Sequence, residues 1–235
     1  MTCQNASIAI FVKTPGLSPI KTRLSVGIGR DSSAEFYRLS VAAISAAVAT
    51  VADSTGTTPY WAVAEEAGLY DPRWQEFSRI PQGSGGLGDR LHKVFNELQS
   101  QHAAVIGIGA DSPQITPALL ESTLQVLLNS RGIYSHVLGR CYDGGFYLVG
   151  SNSHLAKQTW TKIPYSTATA AESLAQSLRS SGQLKEIASL TDVDTAEDLI
   201  TLKKEMLAIS KPSPEQLMLI GWLERNISQV SRKCK

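Results

Sequence analysis

Apolar residues in this chain gather in short unbroken runs, separated by longer stretches with helical spacing. Ser7-Ile8-Ala9-Ile10-Phe11-Val12 and Ala104-Val105-Ile106-Gly107-Ile108-Gly109 carry almost no polar side chain. Such runs predict strands buried on both faces, as in the centre of a parallel sheet. Thr58–Ala64 predicts another strand, and the residues near Ile80 a short one. Ser33–Val51, rich in alanine, has the spacing of a helix, with Asp31 to Ser33 as its N-caps. A further helix runs from about Asp89 to Gln99, and Thr116-Pro117 opens the next, because proline is preformed for the first helical position.

Two strands, Tyr134–Arg140 and Phe146–Gly150, flank Asp143-Gly144-Gly145, which is hairpin-turn chemistry. A helix over Ala168–Ser180, a strand near Leu184–Ala188 and a helix from the Asp192–Asp198 segment to Ile209 follow. This alternation with one late antiparallel hairpin predicts an α/β fold: a mainly parallel central sheet flanked by helices. Residues 1–209 read as one domain. Residues 210–235 read as a helical extension on it, whose Leu217, Ile220, Leu223 and Ile227 stripe faces the core.

Composition narrows the function classes. The 235 residues suffice for one domain with a sizeable core. A formal charge of +1 provides no global attraction for nucleic acid or a membrane surface. Cys3, Cys141 and Cys234 are scattered without C-x-x-C spacing, so neither a disulfide framework nor a zinc site is indicated, which favours a reducing, cytoplasmic setting. Ala6–Val12 lacks a basic leader, and no run approaches the roughly 20 apolar residues of a membrane span.

The candidate chemistry sits where the apolar runs end. The second buried run leads into Asp111-Ser112-Pro113, so a carboxylate arrives at the carboxyl end of a central strand, where open α/β sheets bind ligands. Asp111 is a candidate for a hard cation such as Mg²⁺ or Mn²⁺. The loop Lys13-Thr14-Pro15-Gly16 to Lys21-Thr22-Arg23 follows the first strand with three cations, suiting a polyphosphate. It is not a Walker loop, since Ile20 stands where the glycine before Lys-Thr is needed. Gly83-Ser84-Gly85-Gly86-Leu87-Gly88 matches G-x-G-x-x-G, which keeps an NAD-dependent oxidoreductase as an alternative. Asp194 with Glu197 fits a capping box, which leaves Asp192 as the second metal or ribose candidate. Asp143, Gly144 and Gly145 form a hairpin whose glycines also let a backbone approach an acceptor closely.

Lys13-Thr14-Pro15, Lys21-Thr22-Arg23-Leu24, Gly88-Asp89-Arg90-Leu91, Gly109-Ala110-Asp111-Ser112-Pro113, Asp143-Gly144-Gly145-Phe146-Tyr147 and Asp192-Val193-Asp194 occur in this order. In that ordered set, over about residues 6–205, the chain resembles the bacterial transferase family DUF2064 of the nucleotide-diphospho-sugar transferase superfamily. More distantly it is similar to phospholactate guanylyltransferases and molybdenum-cofactor nucleotidyltransferases. The resemblance implies a glycosyltransferase-A-type fold and a metal-dependent transferase acting on a nucleotide or nucleotide-sugar donor and a small acceptor, with self-association left open. It implies a metal at Asp111, beside which Asp192 stays the second candidate from its own segment, and phosphates at Lys21 and Arg23. The nucleotide would lie over Lys13, Thr14, Pro15, Gly16, Gly85, Gly88 and Ser112, and the acceptor at Asp143, Gly144 and Gly145. Gly86 stands where the family often carries an aspartate, and Tyr142 where an acidic residue usually precedes Asp-Gly-Gly. Both departures bear on the acceptor side, and a nucleotide-binding homologue without turnover is the competing class.

Overall fold

The computed structural model describes residues 5–130 and 132–233, with side chains described as far as residue 227. Cys3 and Cys234 lie outside the described residues. Seven strands form one sheet: β1 (Ala6–Val12), β2 (Thr58–Val63), β3 (Ser78–Pro81), β4 (Ala104–Gly109), β5 (Ser135–Cys141), β6 (Phe146–Ser151) and β7 (Gln183–Leu190). Their spatial order is β3-β2-β1-β4-β6-β5-β7, and β6 alone runs antiparallel to its neighbours. The two apolar runs are adjacent central strands, with Ile10 opposite Ile108 and Phe11 opposite Gly109. The chain leaves β1 toward β2 on one side and later returns to place β4 on the other. The two carboxyl ends therefore flank the point where strand order reverses, which is where such sheets form a ligand crevice.

The helices are α1 (Thr22–Ile28), α2 (Arg30–Thr55), α3 (Leu87–Gln99), α4 (Pro117–Leu128), α5 (Lys157–Thr161), α6 (Ala170–Arg179), α7 (Asp198–Leu207) and α8 (Pro214–Lys233). On one face, Ile44 and Val48 of α2 and Leu120 and Leu124 of α4 cover Ile8, Ile10, Ile106 and Ile108. On the other, Val94, Phe95 and Leu98 of α3 and Leu174 and Leu178 of α6 cover Ala9, Val105 and Val149. Both faces of β1 and β4 are thus shielded, which is why their sequences show no polar alternation. A third core joins Leu24, Phe36, Leu202, Leu219 and Trp222. There α8 packs on α2, with Trp222 Nε1 donating to Glu35 Oε2 at 3.0 Å.

Several local expectations are corrected. α2 begins at Arg30 after Gly29, whose φ of 87° breaks the chain direction, so Asp31 lies in its first turn and is no cap. At 26 residues α2 is long and apolar enough to span a membrane by length and composition, contrary to the reading that nothing approaches that length. More than half of its apolar window is buried, and it packs as a core helix. The segment expected to remain loop through Arg23 turns helical at Thr22. Two 3-10 turns, Glu66–Tyr70 and Pro72–Trp74, and the short α5 carry no periodic signal long enough to read. Thr116 does cap α4, accepting from Leu119 N, with Pro117 at the first helical position.

Candidate functional site

The site is built from four chain segments meeting at the carboxyl ends of β1 and β4. Helix α2 holds both strand ends from below. Tyr37 hydroxyl donates to Lys13 O at 2.9 Å and accepts from Lys13 N at 3.0 Å, while Ser40 Oγ donates to Ala110 O at 2.7 Å. Gln82 performs the same task from the side, donating Nε2 hydrogens to Val12 O and Ala62 O. The segment after β7 is sewn to the segment after β4: Val193 N donates to Asp111 O at 3.3 Å and Ser112 Oγ to Thr191 O at 3.2 Å.

Lys21 lies at the centre. Its Nζ is 2.9 Å from Asp111 Oδ1 and 3.6 Å from Asp194 Oδ1, and it donates to Val193 O. The side chain is only 4% exposed. Burial opposes its charge, yet Asp111, Asp192 and Asp194 together hold its pKa above the ordinary lysine value. An ammonium has three N–H groups; Asp111 and the Val193 carbonyl accept from two of them, and Asp194 at 3.6 Å contributes charge without a hydrogen bond. Lys21 also adopts a left-handed backbone, φ 48° and ψ 43°, which is costly for a residue with a Cβ and is held by these contacts. Arg23, 70% exposed, pairs with Asp194 Oδ2 at 2.9 Å.

Asp143, Asp192 and Asp194 each bring a carboxylate oxygen within 4.8 Å of the others. Among the described residues, Asp192 Oδ1 is sealed from solvent without a hydrogen-bond partner. Burial, then the charge of Asp111, pushes its carboxyl up to about 7, with Asp194 and Asp143 adding to the shift and Lys21 opposing it. Asp194 is not the helix cap that its spacing suggests. Helix α7 begins at Asp198 with no side-chain cap at Glu197; Asp198 Oδ2 reaches back to accept from the backbones of Asp194 and Thr195, and the Asp194 carboxylate turns to Lys21 and Arg23. The missed signal was the alternation: in an extended segment, residues two apart face the same way, so Asp192 and Asp194 point together.

The cleft over these groups measures about 610 Å³. Lys13, Lys21, Arg23, Gly85, Asp111, Ser112, Asp192 and Asp194 line it, together with Arg90, which was not singled out as a site residue. Arg90 donates to Gly85 O at 3.3 Å and to Gln82 Oε1 at 3.4 Å. Thr14, Pro15, Gly16 and Gly88 are not brought to the cleft. Thr14 is buried, bonded to Glu65 through its N–H and to Trp74 Nε1 through its hydroxyl, and Pro15 O accepts from Arg73. Gly88 packs against α5, where a Cβ would stand 2.5 Å from Trp160 O. Asp143 and Gly145 line a smaller adjoining chamber, whereas Gly144 is pressed against Ala168 O.

The glycine turn does not build a dinucleotide unit. It follows the edge strand β3, and β2 and β1 lie between β3 and β4 in the sheet. The βαβ unit of that fingerprint needs its parallel strands side by side around the helix.

This α/β architecture recurs in solved structures. A protein from Desulfovibrio desulfuricans G20, provisionally named a nucleotide-diphospho-sugar transferase, is 21% identical, with 97% of each chain covered and a TM-score of 0.82. A cytidylyltransferase from Leptospira borgpetersenii serovar Hardjo-bovis is 15% identical, with 97% of each chain covered and a TM-score of 0.54. A 4-diphosphocytidyl-2C-methyl-D-erythritol synthase from Anaerococcus prevotii DSM 20548 is 12% identical, covering 87% of this chain and 97% of that one at a TM-score of 0.54. No curated protein matches by sequence. The fold is therefore of the nucleotide-diphospho-sugar transferase type. Residues 42–167 match the family model described as "Uncharacterized protein conserved in bacteria (DUF2064)", and the chain belongs to that family.

Proposed function

We propose that this protein is a divalent-cation-dependent transferase acting on a nucleotide-activated donor, either an NDP-sugar or an NTP. The observation that carries this reading is the meeting of Lys13, Arg23 and Arg90 with Asp111, Asp192 and Asp194 in one cleft at the switch point of the sheet, with Asp143 joining the carboxylates from the adjoining chamber. Lys13, Arg23 and Arg90 suit a di- or triphosphate, and arginine forks match its oxygens. The fold shared with proteins named as transferases supports the same class.

The carboxylate cluster fits a hard cation: three oxygen donors lie close together, and Asp192 Oδ1 lacks any partner among the described residues. Asp143, Asp192 and Asp194 would hold Mg²⁺ or Mn²⁺, with Asp111 beside them on Lys21. Such a cation supplies neutralisation of phosphate charge. Arg23 and Arg90 then orient the donor and stabilise charge growing on the leaving oxygen. Lys21 keeps Asp111 and Asp194 in place, and the buried strand ends beneath the site keep the cluster rigid.

Thermal unfolding against NTPs and NDP-sugars, with and without Mg²⁺ or Mn²⁺, tests this reading. A ligand at a hundred times its Kd stabilises by about 2.7 kcal/mol. We expect a cation-dependent rise in Tm for at least one nucleotide class, together with slow donor turnover. A shift without turnover supports the non-catalytic homologue, and the absence of any cation-dependent nucleotide shift overturns the proposal.

A further inference from the structure

Beyond the carboxylates, the cleft opens into a second chamber of about 250 Å³. Its walls differ in kind from those of the main cleft. Phe11, Leu91, Phe146, Tyr165 and Ala170 are among its apolar and aromatic walls, and no lysine, arginine or histidine lines it among the described residues. The tyrosine hydroxyls are tied away from the space: Tyr165 donates to Trp160 O at 2.9 Å and Tyr147 to Ala188 O at 2.8 Å. The rings of Phe146 and Tyr165 stand 6.4 Å apart and tilted by 55°. The charged groups on the chamber wall are Asp143, Asp192 and Asp194.

Resting on the donor reading above, we propose that this chamber is the acceptor subsite, and that it takes a neutral or amine-bearing alcohol with an apolar face, not a phosphorylated one. The lining argues for this class. Asp143, Asp192 and Asp194 are its charged side chains among the described residues, whereas Lys13, Arg23 and Arg90 stand on the main cleft. A divalent cation on those carboxylates would be shared with the donor's diphosphate. A second phosphate in the chamber would find no lysine, arginine or histidine to receive it among the described residues and would lie beside the donor's own diphosphate, a like-charge juxtaposition that disfavours it. The aromatic and aliphatic walls reward an apolar face instead.

This acceptor class selects glycosyl transfer over nucleotidyl transfer to a phosphate. The hydroxyl oxygen forms the new bond to the anomeric carbon. The bond from that carbon to the diphosphate oxygen breaks with its electron pair on the diphosphate, which takes up the hydroxyl proton as NDP leaves.

The test uses a matched pair, phenyl β-glucoside and its 6-phosphate, with ligand-observed NMR binding measured with and without UDP and Mn²⁺. We expect the neutral member to bind at least about tenfold more tightly. Tyr165→Arg places a cation in the chamber and should erase or invert that ratio, while Tyr165→Phe keeps it. Equal binding, preference for the phosphate, binding of neither, or an unchanged ratio in Tyr165→Arg overturns the proposal. The nucleotide thermal shift is read separately on the same proteins. Its absence sinks the donor reading, whereas the chamber's selectivity stands or falls on the matched pair.

Discussion

Lys21 Nζ and Asp111 Oδ1 lie 2.9 Å apart, joining the loop after the first strand to the loop after the fourth. The contact gives a buried ammonium a partner and takes one oxygen of Asp111 out of competition for other ligands. It also makes Lys21 a positioning residue, because the same ammonium donates to the Val193 carbonyl and lies 3.6 Å from Asp194 Oδ1.

Lys21→Met should therefore destabilise the protein by about 1–3 kcal/mol, less than the 3–5 kcal/mol typical of breaking a fully buried pair. The discount follows from Asp111 and Asp194, which are 37% and 39% exposed. Chemical denaturation measures it. Nucleotide affinity should weaken together with cation affinity, because the carboxylates lose their anchor. Loss of nucleotide affinity with the cation affinity intact would show instead that Lys21 touches phosphate directly.

Asp192→Asn should stabilise the cation-free protein while abolishing cation-dependent protection. The wild-type carboxyl is raised to about 7. Between an unfolded value near 4 and that folded value, the native state holds the extra proton, so stability falls as pH rises through this window and then levels off. The asparagine removes that loss. Its gain should reach about 1–2 kcal/mol at pH 8 and shrink toward pH 4. Thermal melts at the two pH values, with and without Mn²⁺, decide the matter.

Gly144→Ala should cost about 2 kcal/mol or more, since it combines a positive φ with a collision. Gly144 has φ 91°, and a Cβ there would stand 2.0 Å from Ala168 O. Gly144 O also accepts from Ala171 N at 2.9 Å, which fixes the hairpin to the start of α6 and so sets the position of Asp143. The variant's Tm should fall, and its cation affinity should fall with it. Calorimetric titration of Mn²⁺ into the folded variant checks the second effect.

His136 provides a pH dependence remote from the cleft. Its ring is fully buried between Ser151 Oγ and Ser181 Oγ, and burial lowers its pKa. The neutral form is the native one. Stability from this group is complete above the unfolded value of about 6.5 and is lost as pH falls toward the folded value. Acidification from about pH 7 to 5.5 should lower Tm, and His136→Gln should flatten that dependence after an overall offset. An equal slope in both proteins would place the dependence elsewhere.

Much of the fold was legible because burial on both faces leaves an unmistakable mark. Runs such as Val105-Ile106-Gly107-Ile108 have no polar position, and a strand buried on both faces, here beneath helices on each side, accommodates that. Local rules failed where two fitted the same residues. Asp194 satisfied a capping pattern, yet its carboxylate pairs with Arg23 and faces Lys21, while Asp198, the first residue of α7, accepts from the Asp194 and Thr195 N–H groups ahead of the helix. Thr14 and Gly16 stood in a cationic loop, yet Thr14 turned inward to Trp74 and Glu65 and Gly16 stayed outside the cleft.

The order of residues alone specified a mainly parallel α/β sheet, a carboxylate at the end of a central strand and a basic loop after the first one. Those features depend on short-range pattern: period, run length and the residues that end a run. The tertiary structure alone decided that Lys21 is spent on Asp111, that Asp143 joins Asp192 and Asp194, and that an uncationic chamber adjoins them. Those relations hold between segments far apart in the chain, and neither spacing nor composition encodes which buried charge finds which partner.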